Sequence, residues 1–296
     1  YLKRYESLMH EFDLIKNYFQ KLTKKSSSSL NLNDDVFFDK KKNLVISVDT
    51  YVEGNHFFNF KKPDFVIKKI IRSSISDLIC KGVQPKYYFI SGSGNKRSFS
   101  KSNLSKISKS LIEEQKKYKI FLSGGDTVFS NKLSFTITTI GYSSDIIYRN
   151  RAKINDDIYV SGNIGDSYLG LLILKKKIKL NASLNKYFTN QYFMPDIKFK
   201  LVSYLKKFAN TSIDISDGLL TDLDKMLNTQ KLSYKLYLKD IPISNNLKKV
   251  LDFKNFSKKN YISNGDDYQV LFTAPMKMRG IIRRISINNR IKLTKI

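Results

Sequence analysis

Apolar and polar positions alternate most cleanly in LSFTITTIGY, residues 133–142, where every second side chain is apolar or small; this period of two predicts a half-buried strand. LVISVD ahead of it predicts a strand ending at Asp49, KYYFISG another, and KIFLSG a short strand running into Gly124, Gly125 and Asp126. Between them, apolar residues recur every three or four positions over roughly 64–81, which predicts a buried helix, and a polar helix follows over about 100–117. The opening YLKRYESLMHEFDLIKNYFQ reads as an amphipathic helix over 2–20, with a Ser-rich loop at 26–29. After RNRAKINDD the pattern restarts. Strand IYVSG, helix GDSYLGLLILKKK and a helix after Pro195 lead into TSIDISDGLLTDLDKML, residues 211–227, which reads as strand, turn and helix. YKLYLKD and DYQVLFTAP supply two more strands. The expected fold is mixed α/β in two domains, residues 1–145 and 146–296, with the boundary near 145.

Composition narrows the class. The chain has 296 residues, 41% hydrophobic and 13% aromatic, enough for two cores. It holds no run of about eighteen apolar residues, so no membrane span is expected. A charged first helix does not resemble a secretory leader. The one cysteine, Cys80, excludes an internal disulfide and fits a reducing, cytoplasmic setting; SDLICKG reads as a packed helical thiol. The 53 Lys and Arg against 26 Asp and Glu give a formal charge of +27. These cations are scattered along the whole chain, so they read as solvated faces rather than a specific nucleic-acid surface.

Against that basic background, one set of carboxylates stands where charge is costly. Asp34 and Asp35 precede VFF, Asp49 follows LVISV, and Asp77 lies in SISDLICKG. Asp126 lies in SGGDT, Asp214 and Asp217 in DISDG, and Asp266 and Asp267 in NGDDYQVLF. Any single Asp-Gly is explained as well by a turn or a helix cap. Convergence of several requires cations, and oxygen ligands without Cys or His clusters select Mg²⁺, which usually also holds substrate phosphates. The chain lacks G-x-x-x-x-G-K-[ST], GSGNKR lacks the third glycine of a dinucleotide loop, and no kinase H-R-D or D-F-G set occurs. Of the two histidines, His10 falls in the first helix, and His56 in VEGNHFF is balanced between a substrate contact and a structural role.

LVISVDTYVEGNHFF, SISDLICKGVQP, LSGGDT, RAKINDDIYVSGNIGDSYLGL, IDISDGLLTDL and NGDDYQVLFTAP resemble, in order, the motifs of the thiamine-monophosphate kinase family. That family belongs to the aminoimidazole-ribonucleotide-synthetase-like superfamily, and the resemblance runs from about residue 30 to 275. It implies ATP-dependent phosphorylation of thiamine monophosphate, several Mg²⁺ ions, and a homodimer whose N-terminal sheets pair across the two-fold. It also implies metal ligation by Asp35, Ser47, Val48, Asp49, Asp77, Asp126, Asp214 and Asp217, where Val48 replaces a usual Thr and offers only its carbonyl. Nucleotide contacts are implied for Gly125, Asp126, Arg149 and Ser216, and substrate contacts for His56 and Asp266, the latter in place of a usual Glu. The chain ends ahead of a C-terminal aromatic that the family carries. The alternatives are another ATP-using enzyme of the superfamily, of the ring-closing or selenophosphate type, and a basic RNA-binding protein.

Overall fold

The structure, a computed structural model, describes residues 11–296. The predicted helix over 2–20 therefore falls partly outside the described residues, and His10 lies outside them. Within it, α1 (Glu11–Leu14) passes into a π-type turn at Ile15–Phe19 and 3₁₀ turns at Gln20–Thr23 and Ser27–Leu32.

Five strands build the first sheet. They are β1 (Phe37–Asp39), β2 (Leu44–Val52), β3 (Pro85–Gly94), β4 (Phe121–Phe129) and β5 (Ser134–Tyr142), in the order β1-β2-β5-β3-β4. Only β3 and β4 run parallel; the other neighbours are antiparallel. Helix α2 (Pro63–Cys80) connects β2 to β3, and α3 (Lys101–Tyr118) connects β3 to β4. Proline in the first turn starts α2, where its missing N–H costs nothing, and Val66, Ile67, Ile70, Ile71, Ile75, Leu78 and Ile79 bury its apolar face. Each such side chain contributes about 1.5–3 kcal/mol when buried. The helix packs on β2 and β5 on one side and reaches the second sheet on the other. It stands between the two sheets, so residues on its far face can belong to a site made by both.

The second sheet is antiparallel, in the order β7-β8-β6-β9: β6 (Asp157–Ser161), β7 (Thr211–Asp214), β8 (Val270–Ala274) and β9 (Leu293–Lys295). Around it lie α4 (Asp166–Leu174), α5 (Ala182–Phe193), α6 (Val202–Leu205), α7 (Leu219–Leu227), α8 (Asn245–Lys254), α9 (Lys258–Ile262) and α10 (Arg279–Asn289). The main apolar core draws on both sheets, from Tyr51 and Ile137 to Val270 and Phe272. The chain is thus mixed α/β, as the pattern predicts.

Three elements differ from expectation. Strand β2 continues to Val52, so Asp49 lies inside it, paired with Ile137. Gly124, Gly125 and Asp126 likewise lie inside β4, because the neighbouring β3 backbone carries the strand on through Phe129. A Cβ on Gly125 would stand 1.8 Å from the Ile90 carbonyl, so only glycine fits there. YKLYLKD forms no strand; its alternation meets no partner, and Tyr234, Tyr237 and Leu238 are exposed.

Candidate active site

A cleft of about 650 Å³ opens where β2, α2, β7 and the loop before β8 meet. Asp49, Asp77 and Asp214 line it, together with His56, Ser216, Asp217 and Asp266. Alternation along β2 turns Ser47, Asp49 and Tyr51 to the core face and Val48 and Thr50 to the other. Asp49 Oδ2 is buried with no hydrogen-bond partner. Burial, then the charge of Asp35, pushes its carboxyl up to about 7. Asp77 comes from the last turn of α2; burial, then Asp49 and Asp214, raises it well above the carboxylate range. Asp214 ends β7 and accepts a 2.5 Å hydrogen bond from the Ser76 hydroxyl. Burial nonetheless pushes it up to about 8, with Asp222, Asp35 and Asp49 adding to the effect. Three carboxylates lining one cleft from three elements thus resist ionisation, first because they are desolvated and then because neighbouring negative charge is not fully matched. Among the described residues no three His, Cys, Asp or Glu side chains already stand close enough together to hold a metal ion.

The other expected ligands are placed differently. Asp35 lies against Lys81 at 2.8 Å and Arg149 Nη1 at 3.4 Å. Burial alone would raise its carboxyl, but these two cations hold it below the usual range. Ser47 shares a 2.8 Å hydrogen bond with Thr139, which commits its hydroxyl to the sheet. Asp217, 61% exposed, pairs with Lys225 at the rim. Arg149 is buried, its main-chain N–H donating to Asp34 and its Nε to the Asn33 carbonyl.

Asp126 and Val48 do not join the cleft. Ladder pairing places Thr50, Thr136, Ser91 and Asp126 in one cross-sheet row, all on the face opposite Asp49. Three strand spacings separate the ends of that row, about 14 Å. Val48, 62% exposed, lies on that same outer face, as do Phe89 and Val128.

On the opposite wall, DISDG turns sharply at Gly218, whose φ of 119° favours glycine and whose Cβ would meet the Ser263 carbonyl at 2.5 Å. The Ser216 carbonyl accepts the Asp266 N–H, tying this turn to NGDDY. Asp266 Oδ1 is held by Lys69 at 2.5 Å and by the Tyr268 hydroxyl at 3.2 Å. Lys69 is fully buried, 4.1 Å from the Tyr192 ring centre. Burial lowers its ammonium pKa, and Asp266 opposes that. Next in sequence, buried Asp267 instead accepts the N–H groups of Gly165 and Ser167 and caps α4. His56 Nδ1 accepts the Val52 N–H at 3.0 Å, so the neutral ring carries its proton on Nε2 and offers a donor.

Sequence pattern alone does not mark Lys69, Lys81, Tyr51, Tyr268 and Ser76 as site residues. Two of the lysines read as solvated are in fact buried here. The available signal was helical spacing: Lys69, Ser73 and Asp77 follow one another at four-residue intervals along α2, and Ser76 lies three residues after Ser73.

Residues 33–143 match the family model for AIR synthase related protein, N-terminal domain. Thiamine-monophosphate kinase of Buchnera aphidicola subsp. Acyrthosiphon pisum is 35% identical over 281 residues, covering 90% of this chain and 84% of that protein. The enzyme of the same name from Haemophilus influenzae is 34% identical over 274 residues, covering 90% and 82%. A solved structure described as "AaThiL complexed with AMPPCP and TMP" superposes with a TM-score of 0.85 at 26% identity, covering 98% of this chain and 92% of that one. The thiamine-monophosphate kinase structure from Aquifex aeolicus gives 0.83 at 26% identity, covering 97% and 92%. Sequence likeness at this level, over most of both chains, places the protein in the thiamine-monophosphate kinase family.

Proposed function

We propose that this chain transfers the γ-phosphoryl group of ATP to the phosphate of thiamine monophosphate, giving thiamine diphosphate and ADP. The observation that carries the reading is the trio Asp49, Asp77 and Asp214, half-buried to buried and lining one open cleft, with an orphaned Asp49 oxygen. Unmatched carboxylates of this kind suit a hard divalent cation. Mg²⁺ held there would neutralise phosphate oxygens and favour in-line displacement.

The chain's own residues supply position. The acceptor phosphate, with a second pKa near 6, is mostly dianionic at neutral pH, so its oxygen attacks the γ-phosphorus without a strong base while the bond to the ADP oxygen breaks. His56 Nε2–H is a donor suited to an acceptor oxygen, and Asp266 is an anion suited to the thiazolium or aminopyrimidine side. Ser216, which lines the cleft on the same turn, carries a hydroxyl suited to a nucleotide phosphate.

The outer face of the first sheet supports a homodimer. Val48, Phe89, Phe121, Val128 and Tyr142 expose apolar surface beside the unpaired edge of β4. A second copy packed there would bring its Gly125 and Asp126 towards this chain's β2, which one chain alone keeps about 14 Å apart. Among the described residues no helix is long and apolar enough to cross a membrane, and we read the enzyme as cytoplasmic.

Product analysis tests the reading: ATP, Mg²⁺ and thiamine monophosphate should yield thiamine diphosphate and ADP in equal amounts. Absence of thiamine diphosphate alongside turnover of a different acceptor would assign the cleft to another reaction of the superfamily.

A further inference from the structure

The buried ammonium of Lys81 is the charge beside the cleft that phosphoryl transfer does not use. Lys81 directly follows α2, is fully buried, and contacts Asp34 Oδ1 at 2.7 Å, Asp35 Oδ2 at 2.8 Å and the Ser212 carbonyl at 3.2 Å. Arg149 closes the other side, its Nη1 on Asp35 Oδ1 and its main-chain N–H on Asp34 Oδ2. Two carboxylates therefore meet two permanent cations, and the subsite is formally neutral. Asp49, Asp77 and Asp214, which line the cleft itself, are the unmatched group.

The lysine-bound acids Asp35 and Asp217 also differ in how easily they could be released. The Asp217–Lys225 pair lies at the rim with Asp217 largely exposed, so Asp217 can turn to a cation without leaving its charge buried, while Lys225 keeps its 3.2 Å bridge to buried Asp222. Lys81 has no such route. Drawing it away from Asp34 and Asp35 would leave a buried, uncompensated charge, the costliest way to break an ion pair. Its third partner, Ser212, lies two residues before Asp214 on β7, so the ammonium also ties the Asp34–Asp35 loop to the strand that carries the cleft acid.

We propose that Lys81 is a built-in counter-cation that takes the place of a divalent ion at Asp35. This chain then binds fewer Mg²⁺ ions than its motifs imply, with the divalent positions confined to the side of Asp49, Asp77 and Asp214. The proposal rests on reading the cleft as a metal and phosphate site.

Mn²⁺ binding tests it, counted per chain from the free-ion electron paramagnetic resonance signal with saturating ADP on the full chain. Asp35→Asn should bind as many ions as the wild type. Lys81→Met should bind one more, and its melting temperature should rise further with Mn²⁺ than that of the wild type or of Lys81→Arg. Loss of one ion in Asp35→Asn overturns the proposal, as does an unchanged count in folded Lys81→Met. If Lys81→Met does not fold, the Asp35→Asn count decides alone. Thiamine diphosphate formation by the same wild-type sample reports separately on the functional reading.

Discussion

At the scale of single residues the cleft trades stability for charge. Asp49 and Asp214 are held neutral more strongly in the fold, at about 7 and about 8, than in an unfolded chain near 3.8. Their folded pKa values are raised, so the stability they contribute is complete below about pH 4 and is lost as pH rises through 7 to 8. The metal-free protein should therefore lose melting temperature between pH 5 and 8, and millimolar Mg²⁺ with nucleotide should recover it by linkage. Asp49→Asn should flatten that slope while cutting turnover on the order of 10²-fold or more, since it deletes charge where transferring phosphate needs it. A steeper slope in the variant, or full turnover, would remove Asp49 from the role. Asp266 needs a different design, because Asp266→Ala strands buried Lys69 and should cost about 3–5 kcal/mol by that route alone. Asp266→Asn combined with Lys69→Met removes both charges. The double variant should regain most of that stability yet keep a KM for thiamine monophosphate raised about tenfold or more, with KM for ATP little changed. Equal KM values in a stable double variant would make Asp266 a structural partner of Lys69 only.

At the scale of elements, backbone proximity decides what residue patterns leave open. Gly125 passes so close to Ile90 that Gly125→Ala should cost about 1–3 kcal/mol through overpacking of the β3–β4 edge, seen as a fall of several degrees in the melting temperature. Gly280→Ala in α10 meets no atom within 4 Å and should leave it unchanged or slightly raised. The same contrast explains which elements were readable in advance. Strand β5 and helix α2 announce themselves because burial on one face repeats at a fixed period. β4 does not, because a Gly-Gly-Asp run has the composition of a turn and becomes strand only through its neighbour. YKLYLKD errs the other way: it alternates, but a strand also needs a free edge to pair with. In the site, Asp49, Asp77 and Asp214 were legible as costly acids. Lys69 and Lys81 were not, because a buried lysine differs from a solvated one only in its tertiary partners.

At the scale of the whole molecule, one chain presents the family's acids on two opposed faces of a sheet. Asp49 faces the cleft and Asp126 the exposed outer side, across three strand spacings. No side-chain rotation of an aspartate spans that distance, so if both serve one phosphate site they come from different copies. An isologous dimer through the outer face makes each site composite, with Asp49 from one protomer and Asp126 from its partner. Asp49→Asn and Asp126→Asn should each be nearly inactive as pure dimers. Unfolded together and refolded, they form mixed dimers in which one site receives both substitutions and the other receives neither. Random pairing makes half the dimers mixed, each with one intact site of two, so the mixture should regain about a quarter of wild-type activity. Acids acting within one chain would give no recovery at any mixing ratio. Sedimentation of the same samples checks that dimers have formed, so a mixture that is dimeric and still inactive would refute the shared site.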